Sequence, residues 1–176
     1  LKDVYALKNN APLVYNVTPI VKMMSFRSNL KITRKGKSTR FTLLQGTWPE
    51  ALDIMEHEIE HGRMFTEVDD YFANNVCVIG TEIRNSLFGE YDENGETIIP
   101  IGENIFINYK PFKVVGMVKE YMTEEDRKKK EEAKKNKETI NQADRWSRFR
   151  FSDSNSQRTM RVYGSKNSSV LLPLNT

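Results

Sequence analysis

Four consecutive apolar residues, Val76–Ile79, restrict the fold of this chain more than any other feature. An uninterrupted run of this length, rich in β-branched side chains, predicts a buried strand. After Gly80, residues 81–88 place apolar side chains on one side of a helix-length stretch, and Gly89 is its predicted end. The single cysteine, Cys77, lies inside the run, so it has no partner for an intrachain disulfide and we expect it to be buried.

Two hairpin signals predict further strands. Lys-Gly-Lys at residues 35–37 separates two stretches of alternating apolar side chains, and Asn-Tyr-Lys-Pro at residues 108–111 separates two more. Strand composition also occurs at residues 14–21 and 170–173, whereas residues 1–10 have a short helical pattern. The chain therefore mixes short helices with several strands.

Two short helices are predicted between the hairpins. Leu52, Met55 and Ile59 have the spacing of one helical face. Thr66, followed three residues later by Asp69, has the spacing of a helix N-terminal cap. We expect a helix at each place, with an extended end of the first one, before Gly62, as the alternative.

Charge is concentrated in one part of the chain. Residues 119–150 hold eleven of the 27 Lys and Arg residues and eight of the 24 Asp and Glu residues, which leaves sixteen of each elsewhere. Within it, residues 124–143 have almost no apolar side chain, which predicts either a solvated helix supported by charge pairs or a disordered segment. Residues 152–169 have the composition of a loop, in which residues 160–163 allow an edge hairpin.

Hydropathy and the start of the sequence bear on membrane attachment. No stretch approaches the roughly 18–20 consecutive apolar residues that a membrane-spanning helix requires. The sequence begins at Leu1, without Met and without an apolar signal segment. We expect it to be a segment of a longer protein, so the absence of a targeting signal here carries no information.

The five residues His-Glu-Ile-Glu-His at positions 57–61 match a zinc peptidase pattern. In that pattern His57 and His61, one helical turn apart, bind Zn²⁺, and Glu58 polarises a water molecule. Glu82 is a candidate third ligand. However, Gly62 follows at once and the packing face of the predicted helix is short, so we favour two exposed histidines on a polar edge.

Residues 127–150, which we call the basic and aromatic segment, are the second candidate site. Clustered Lys and Arg side chains bind phosphates, and aromatic rings among them stack on bases, so the segment is a candidate surface for nucleic acid or lipid headgroups. Interleaved Asp and Glu argue against this, and a hairpin with one buried face has the same aromatic alternation. The candidate partner-binding residues are Arg127, Lys128, Lys130, Trp146 and Phe149.

The chain carries no G-x-S-x-G element, Walker-type phosphate loop, glycine-rich dinucleotide turn or cysteine pair. We therefore assign no catalytic, cofactor-binding or metal-binding residue and expect a protein that is not an enzyme.

Seven short motifs follow one another in a fixed order along the chain. They are Gly46-Thr47-Trp48-Pro49-Glu50, Gly62-Arg63-Met64-Phe65-Thr66, Val76-Cys77-Val78-Ile79-Gly80, Leu87-Phe88-Gly89, Pro100-Ile101-Gly102, Phe112-Lys113-Val114-Val115-Gly116-Met117-Val118 and Leu171-Leu172-Pro173-Leu174-Asn175-Thr176. Each motif alone is weak, but their order is specific. The ordered series resembles the periplasmic core domain of MacB-like ABC transporter permeases.

This resemblance implies an α+β fold, with a β-rich core domain and a mixed α/β porter-like part with short helices. Residues 1–46 would supply the N-terminal helix and strands of the porter-like part, and residues 47–118 the β-rich core subdomain. Residues 119–169 would be a charged insertion, built as a helix with a loop or hairpin. Residues 170–176 would be a return strand, after which the family's porter-like part continues.

The resemblance also implies a function. Such a domain lies in the periplasm or extracytoplasmic space, anchored to the inner membrane by flanking helices, and transmits ATP-driven movement during efflux or the export of lipoproteins or peptides. Lipoprotein-releasing and FtsX-like permeases are related branches. The implied partners are a cytoplasmic ABC ATPase, which uses the ATP, a second permease copy and a periplasmic adaptor. No cofactor in this domain and no nucleic-acid partner are expected.

Overall fold

The computed structural model describes residues 1–23, 31–40, 43–121 and 166–176. The chain divides into two units, one of residues 1–120 with 167–176 and the other of residues 121–166. In the second unit, the ammonium group of Lys166 lies 4.5 Å from the centre of the Tyr121 ring. The two ends of that unit therefore meet.

The first unit contains short helices and short strands. In chain order they are α1 (Lys2–Asn10), β1 (Ile20–Met23), β2 (Ile32–Arg34), β3 (Lys37–Thr39), β4 (Leu43–Thr47), α2 (Ala51–Ile54), β5 (Ile59–Gly62), α3 (Glu67–Tyr71), β6 (Val76–Ile79), α4 (Thr81–Leu87), β7 (Asn104–Ile107), β8 (Lys110–Val118) and β9 (Ser169–Pro173).

Nine strands of the described ranges form one mixed sheet in the order β1-β4-β9-β6-β8-β7-β2-β3, with β5 paired to β8. β9 is parallel to β4 and antiparallel to β6, and β6 is parallel to β8. The long strand β8 carries β7 along its first half and β5 along its last three residues. The last strand of the chain thus lies at the centre of the sheet, so residues 1–120 are completed by residues 167–176. This mixed sheet with short helices confirms the predicted α+β fold.

The core lies on both sides of β6, whose four residues are all buried. Cys77 and Ile79 belong to one apolar cluster, which α4 covers with Ile83 and Leu87. Val76 and Val78 belong to a second cluster, on the other face of the strand, around Phe65. Alternate residues of a strand point to opposite faces, so an uninterrupted apolar run is what a strand buried on both faces requires.

Both predicted hairpins are present, each with a two-residue turn. Lys35 and Gly36 join β2 to β3, and Asn108 and Tyr109 join β7 to β8. All four residues have positive φ, between 45° and 80°. Two central residues of positive φ make a type I′ turn, whose twist matches that of the paired strands.

One prediction for the first sixty residues is wrong, and in a second place the structure has the alternative that the sequence left open. Residues 14–19 lie in no strand, and β1 begins only at Ile20. The element through Leu52, Met55 and Ile59 has the extended end: α2 stops at Ile54, because Glu56 adopts a φ of 53° and Ile59 enters β5. Pairing of β5 with β8 overrides the helical spacing of three side chains. The remaining predicted helices α1, α3 and α4 are present, as is strand β9.

The remaining sequence predictions concern residues 124–163 and the subdomain boundary. The predicted helix or disordered segment at 124–143 and the hairpin at 160–163 lie outside the described residues. The proposed boundary between residues 46 and 47 falls inside β4. No helix in the described ranges is long and apolar enough to cross a membrane.

Candidate partner-binding site

The zinc interpretation of residues 57–61 is wrong, because the motif does not lie on a helix. His57 precedes β5 and His61 lies within it. An extended chain rises about 3.3 Å per residue, so residues four positions apart are separated by about 13 Å, too far for both side chains to bind one zinc ion. Glu58 instead pairs with Lys119, which lowers the pKa of that carboxyl. Among the described residues, no three His, Cys, Asp or Glu side chains come together as a metal site.

The partner-binding residues predicted in the basic and aromatic segment, Arg127, Lys128, Lys130, Trp146 and Phe149, all lie outside the described residues. Their assignment stays a prediction.

An open cleft of about 320 Å³ lies in the first unit, where α1, the end of β4, α3 and the C-terminal residues meet. Its walls combine aromatic rings with carboxylates. They are formed by Leu1, Tyr5, Lys8, Trp48, Pro49, Glu50, Glu67, Asp70, Tyr71 and Asn175.

Trp48 is the aromatic centre of the cleft and is held by the backbone at the end of β4. The backbone N–H of Trp48 donates to the Thr18 hydroxyl at 3.3 Å, and that hydroxyl is 3.1 Å from the hydroxyl of Thr47. These contacts fix the turn that follows β4, so the ring faces α1.

Side chains of helix α1 contact Trp48. The ring centres of Tyr5 and Trp48 are 5.5 Å apart. The ammonium group of Lys8 lies 5.7 Å from the Trp48 ring centre and 3.5 Å from a carboxylate oxygen of Glu50. No residue of α1 is buried. Helix α1 therefore forms one wall of the cleft and is held there by contacts of partly exposed side chains.

Helix α3 forms the opposite wall, and its start is fixed by the predicted cap. The Thr66 hydroxyl accepts from the backbone N–H of Asp69 at 3.3 Å, and the Asp69 carboxylate accepts from the backbone N–H of Thr66 at 2.9 Å. Arg63 and Asn74 also donate to this carboxylate, at 2.8 and 3.1 Å. Burial alone would raise the pKa of Asp69, but these hydrogen bonds outweigh it and hold the pKa well below its usual value.

Asp70 joins α3 to the end of the chain. One oxygen of its carboxylate accepts from the backbone N–H of Asn175 at 2.9 Å, and the other accepts from the Asn175 amide at 3.0 Å. Asp70 is buried, so both bonds are shielded from water. The C-terminal segment is thereby fixed as the floor of the cleft.

An apolar surface adjoins the cleft on α3. Val68, Tyr71 and Phe72 are 61%, 81% and 67% exposed, and the rings of Tyr71 and Phe72 meet edge to face with centres 5.1 Å apart. We call these three residues the α3 patch. Tyr71 belongs both to the patch and to the cleft.

Sequence reasoning missed this cleft because its walls come from four distant parts of the chain. Trp48, Pro49 and Glu50 stood out only as part of a motif, and Asp70 was not singled out. The local signal at Thr66 and Asp69 predicted the start of α3 but not the surface it faces. Carboxylates and aromatic faces together are suited to binding a cation.

The sequence matches the family model for the MacB-like periplasmic core domain over residues 1–133. It is 32% identical over 117 residues to the macrolide export ATP-binding/permease protein MacB of Syntrophobacter fumaroxidans, covering 66% of this chain and 15% of that protein. It is 30% identical over 101 residues to the pyoverdine export ATP-binding/permease protein PvdT of Pseudomonas aeruginosa, covering 57% of this chain and 14% of that protein. The chain thus spans about 15% of the first of these proteins.

Two solved structures share the fold over 99% of this chain. The periplasmic region of MacB from Actinobacillus actinomycetemcomitans aligns with a TM-score of 0.60 at 18% identity, over 55% of that chain. The extracellular domain of the ABC-type transporter YknZ from Gram-positive bacteria aligns with the same TM-score at 16% identity, over 62% of that chain.

Proposed function

The chain belongs to the family of MacB-like periplasmic core domains, and from this premise we propose that it transmits ATP-driven movement of a permease to cargo or an adaptor outside the membrane. The observation that carries the proposal is the family match over residues 1–133, more than two thirds of the chain.

The first unit has the construction that such a task needs. Its nine described strands form one sheet, with apolar clusters on both faces of β6. A sheet with a closely packed core moves as a rigid body, and rigid-body rotation of domains is an established mode of switching. In this proposal the domain carries movement between its partners and performs no chemistry itself.

The names of the relatives, ATP-binding and permease proteins, support an ATPase among the proposed partners, and the other partners belong to the proposal alone. The proposed partners are a cytoplasmic ATPase that uses the ATP, a second copy of the permease and a periplasmic adaptor. The domain would lie outside the cytoplasmic membrane and be anchored by flanking helices. Efflux is the proposed process, since both relatives are named for export, and the cargo is left open.

The basic and aromatic segment is the proposed place where this chain differs in docking its adaptor, cargo or second copy. The residues to test are Arg127, Lys128, Lys130, Trp146 and Phe149. Replacing Arg127, Lys128 and Lys130 together with Gln should weaken adaptor binding by the full permease, while leaving its ATP hydrolysis unchanged. Adaptor binding equal to that of the unmodified permease would remove this segment from the docking surface.

Distance measurement between spin labels tests the movement in the full-length permease with its ATPase. Ser38 lies in the exposed β3, and the native Cys77 is buried, so the S38C variant places a label at a defined site of this domain. We expect the distance between the two labelled copies to change between the nucleotide-free state and ATP bound without hydrolysis. An unchanged distance would contradict the proposal.

A second label within the same copy is the matched control. Ser38 and Lys110 both lie at exposed positions of one sheet. With labelled subunits diluted into unlabelled ones, the distance between S38C and K110C should stay constant when ATP binds. A change in this distance would mean that the domain deforms, which excludes rigid-body transmission.

The gene around this segment provides a simpler test. We expect one apolar helix upstream, three downstream and a fused or neighbouring ATPase. A continuous polypeptide with no apolar helices on either side would overturn the assignment to a permease.

A further inference from the structure

The cleft already holds one cationic side chain. The ammonium group of Lys8 lies over the Trp48 ring at 5.7 Å and faces Glu50 at 3.5 Å. Both distances are long for interactions of their kind, and half of the Lys8 side chain is exposed. Lys8 therefore only partly uses the capacity of the cleft to bind a cation.

The charges of the cleft are not balanced. Among the described residues that line it, Lys8 has the only positively charged side chain, against the carboxylates of Glu50, Glu67 and Asp70. The second carboxylate oxygen of Glu50 is buried and has no hydrogen-bond partner in the described part of the chain. A buried acceptor without a partner is costly, and a donor that enters the cleft would relieve that cost.

Lys8 is also easy to displace. It lies on α1, which has no buried residue, and its ion pair with Glu50 is partly exposed to solvent. Exposed ion pairs contribute little to stability, so little free energy is lost when a competing cation breaks the pair between Lys8 and Glu50. The aromatic wall formed by Trp48 remains in place, because the backbone at the end of β4 holds it.

The α3 patch indicates the size of the ligand. Val68, Tyr71 and Phe72 are mostly exposed and continue outward from the cleft through Tyr71. Exposed apolar side chains next to one another are common where one protein binds another, and aromatic residues are enriched in such contacts. A free small cation would fill the cleft and leave the α3 patch uncovered.

We propose that the cleft binds a lysine or arginine side chain of a partner protein, and that apolar residues beside that side chain cover the α3 patch. The ligand's cation lies on the Trp48 face, donates to Glu50 and displaces Lys8. This inference rests on the cleft alone and does not require the transport role proposed above.

Titration of the 176-residue chain with short peptides tests the proposal. The probe is acetyl-Leu-Arg-Leu-amide, and the matched neutral peptide carries norleucine in place of arginine. The indole N–H resonance of Trp48, assigned with W48F, reports occupation of the cleft. We expect saturable shifts with the basic peptide that weaken as salt is raised, and at least about tenfold weaker binding of the neutral peptide.

Substitutions separate binding in the cleft from binding elsewhere. E50Q should weaken the basic peptide about fivefold or more, whereas K8M should strengthen it about two- to threefold by removing the internal competitor. E103Q is the control, because Glu103 is an exposed carboxylate that pairs with Arg34 and does not line the cleft. It should bind like the unmodified chain, and far-ultraviolet circular dichroism should be the same for all three variants.

Three outcomes would overturn the proposal. Equal binding of the two peptides would show that the cation is not recognised. Weaker binding by K8M would show that Lys8 is part of the site and not a competitor. Equal affinity for arginine amide and the basic tripeptide would assign the cleft to a free organic cation and exclude a protein partner that covers the α3 patch.

Discussion

At the scale of single residues, Asp69 holds the start of α3 in place. Its carboxylate accepts hydrogen bonds from Arg63, Thr66 and Asn74, and only 6% of the residue is exposed. A carboxylate that accepts several donors in a shielded site is strongly stabilised in its ionised form. Replacing Asp69 should therefore lower the stability of the whole first unit.

The D69N variant should be less stable than the unmodified chain by about 1–3 kcal/mol at pH 7, because the amide cannot accept from all of these donors. Chemical denaturation monitored by circular dichroism measures the difference. D53N is the control, since Asp53 is exposed on α2, and it should cost less than about 0.5 kcal/mol. Equal stability of D69N and D53N would contradict the role of the network.

The same network predicts how stability depends on pH. The folded pKa of Asp69 lies below the value of about 3.9 expected in the unfolded chain. Its contribution is therefore complete above about pH 5 and is lost as the pH falls through 3.9 toward the folded pKa. The difference in stability between the unmodified chain and D69N should shrink over that range. A difference that stays constant from pH 7 to pH 3 would show that the charge is not involved.

Cys77 gives a prediction about reactivity. The thiol is fully buried in β6, and burial raises its pKa above the usual value. It should react with Ellman's reagent only when the sheet unfolds, at least about a thousandfold more slowly than a cysteine at the exposed Ser38. The S38C variant supplies this comparison in one sample. Rapid modification of both thiols would mean that β6 is not a buried strand.

At the scale of elements, local patterns correctly predicted the structures that depend on residues close in sequence. They failed for structures that depend on pairing between distant strands. The cap at Thr66, the turns of both hairpins and the strand Val76–Ile79 depend on residues close in sequence, and all are present. Ile59 had helical spacing with Leu52 and Met55, yet it pairs with Val118 of β8. A partner 59 positions away outweighs a short periodic pattern. The cleft was not predictable for the same reason, since its walls meet only when the sheet is assembled.

Gly80 connects three elements, because it lies between β6 and α4 and touches the segment that leads into β9. Its backbone N–H donates to the carbonyl oxygen of Ser169 at 2.9 Å. A Cβ atom at this position would overlap the carbonyl oxygen of Asn167 and come within 3.2 Å of its Cα atom. The close approach of two backbones therefore requires glycine here, although its φ of −80° suits any residue.

The G80A variant should be destabilised by about 1–3 kcal/mol or more, because the added methyl group forces β9 away from β6. G46A is the matched control in β4, where the nearest atoms lie 3.7–3.9 Å from an added Cβ. That substitution should be neutral or stabilise the chain by a few tenths of a kcal/mol, since it restricts the unfolded state. Thermal unfolding of both variants measures the contrast, and equal melting temperatures would contradict it.

At the scale of the whole molecule, the sheet explains how a long charged segment is accommodated between β8 and β9. Ile79 of β6 is paired with Met117 on one side and with Val170 on the other. The end of β8 and the start of β9 therefore lie at the same end of the sheet, two strand spacings or about 10 Å apart. An insertion whose two ends lie this close can be added without separating the strands it joins.

This geometry predicts that residues 121–166 can be replaced by six Gly and Ser residues without loss of the fold. Six flexible residues span about 12–15 Å on average, enough to join residue 120 to residue 167. The shortened chain should unfold cooperatively with a melting temperature within about 5 °C of the original, as circular dichroism would show. Truncation after residue 166 is the control: it removes far fewer residues but takes away β9 from between β4 and β6, and it should abolish folding. If the shortened chain were unfolded and the truncated one folded, residues 121–166 would be part of the core and β9 would not.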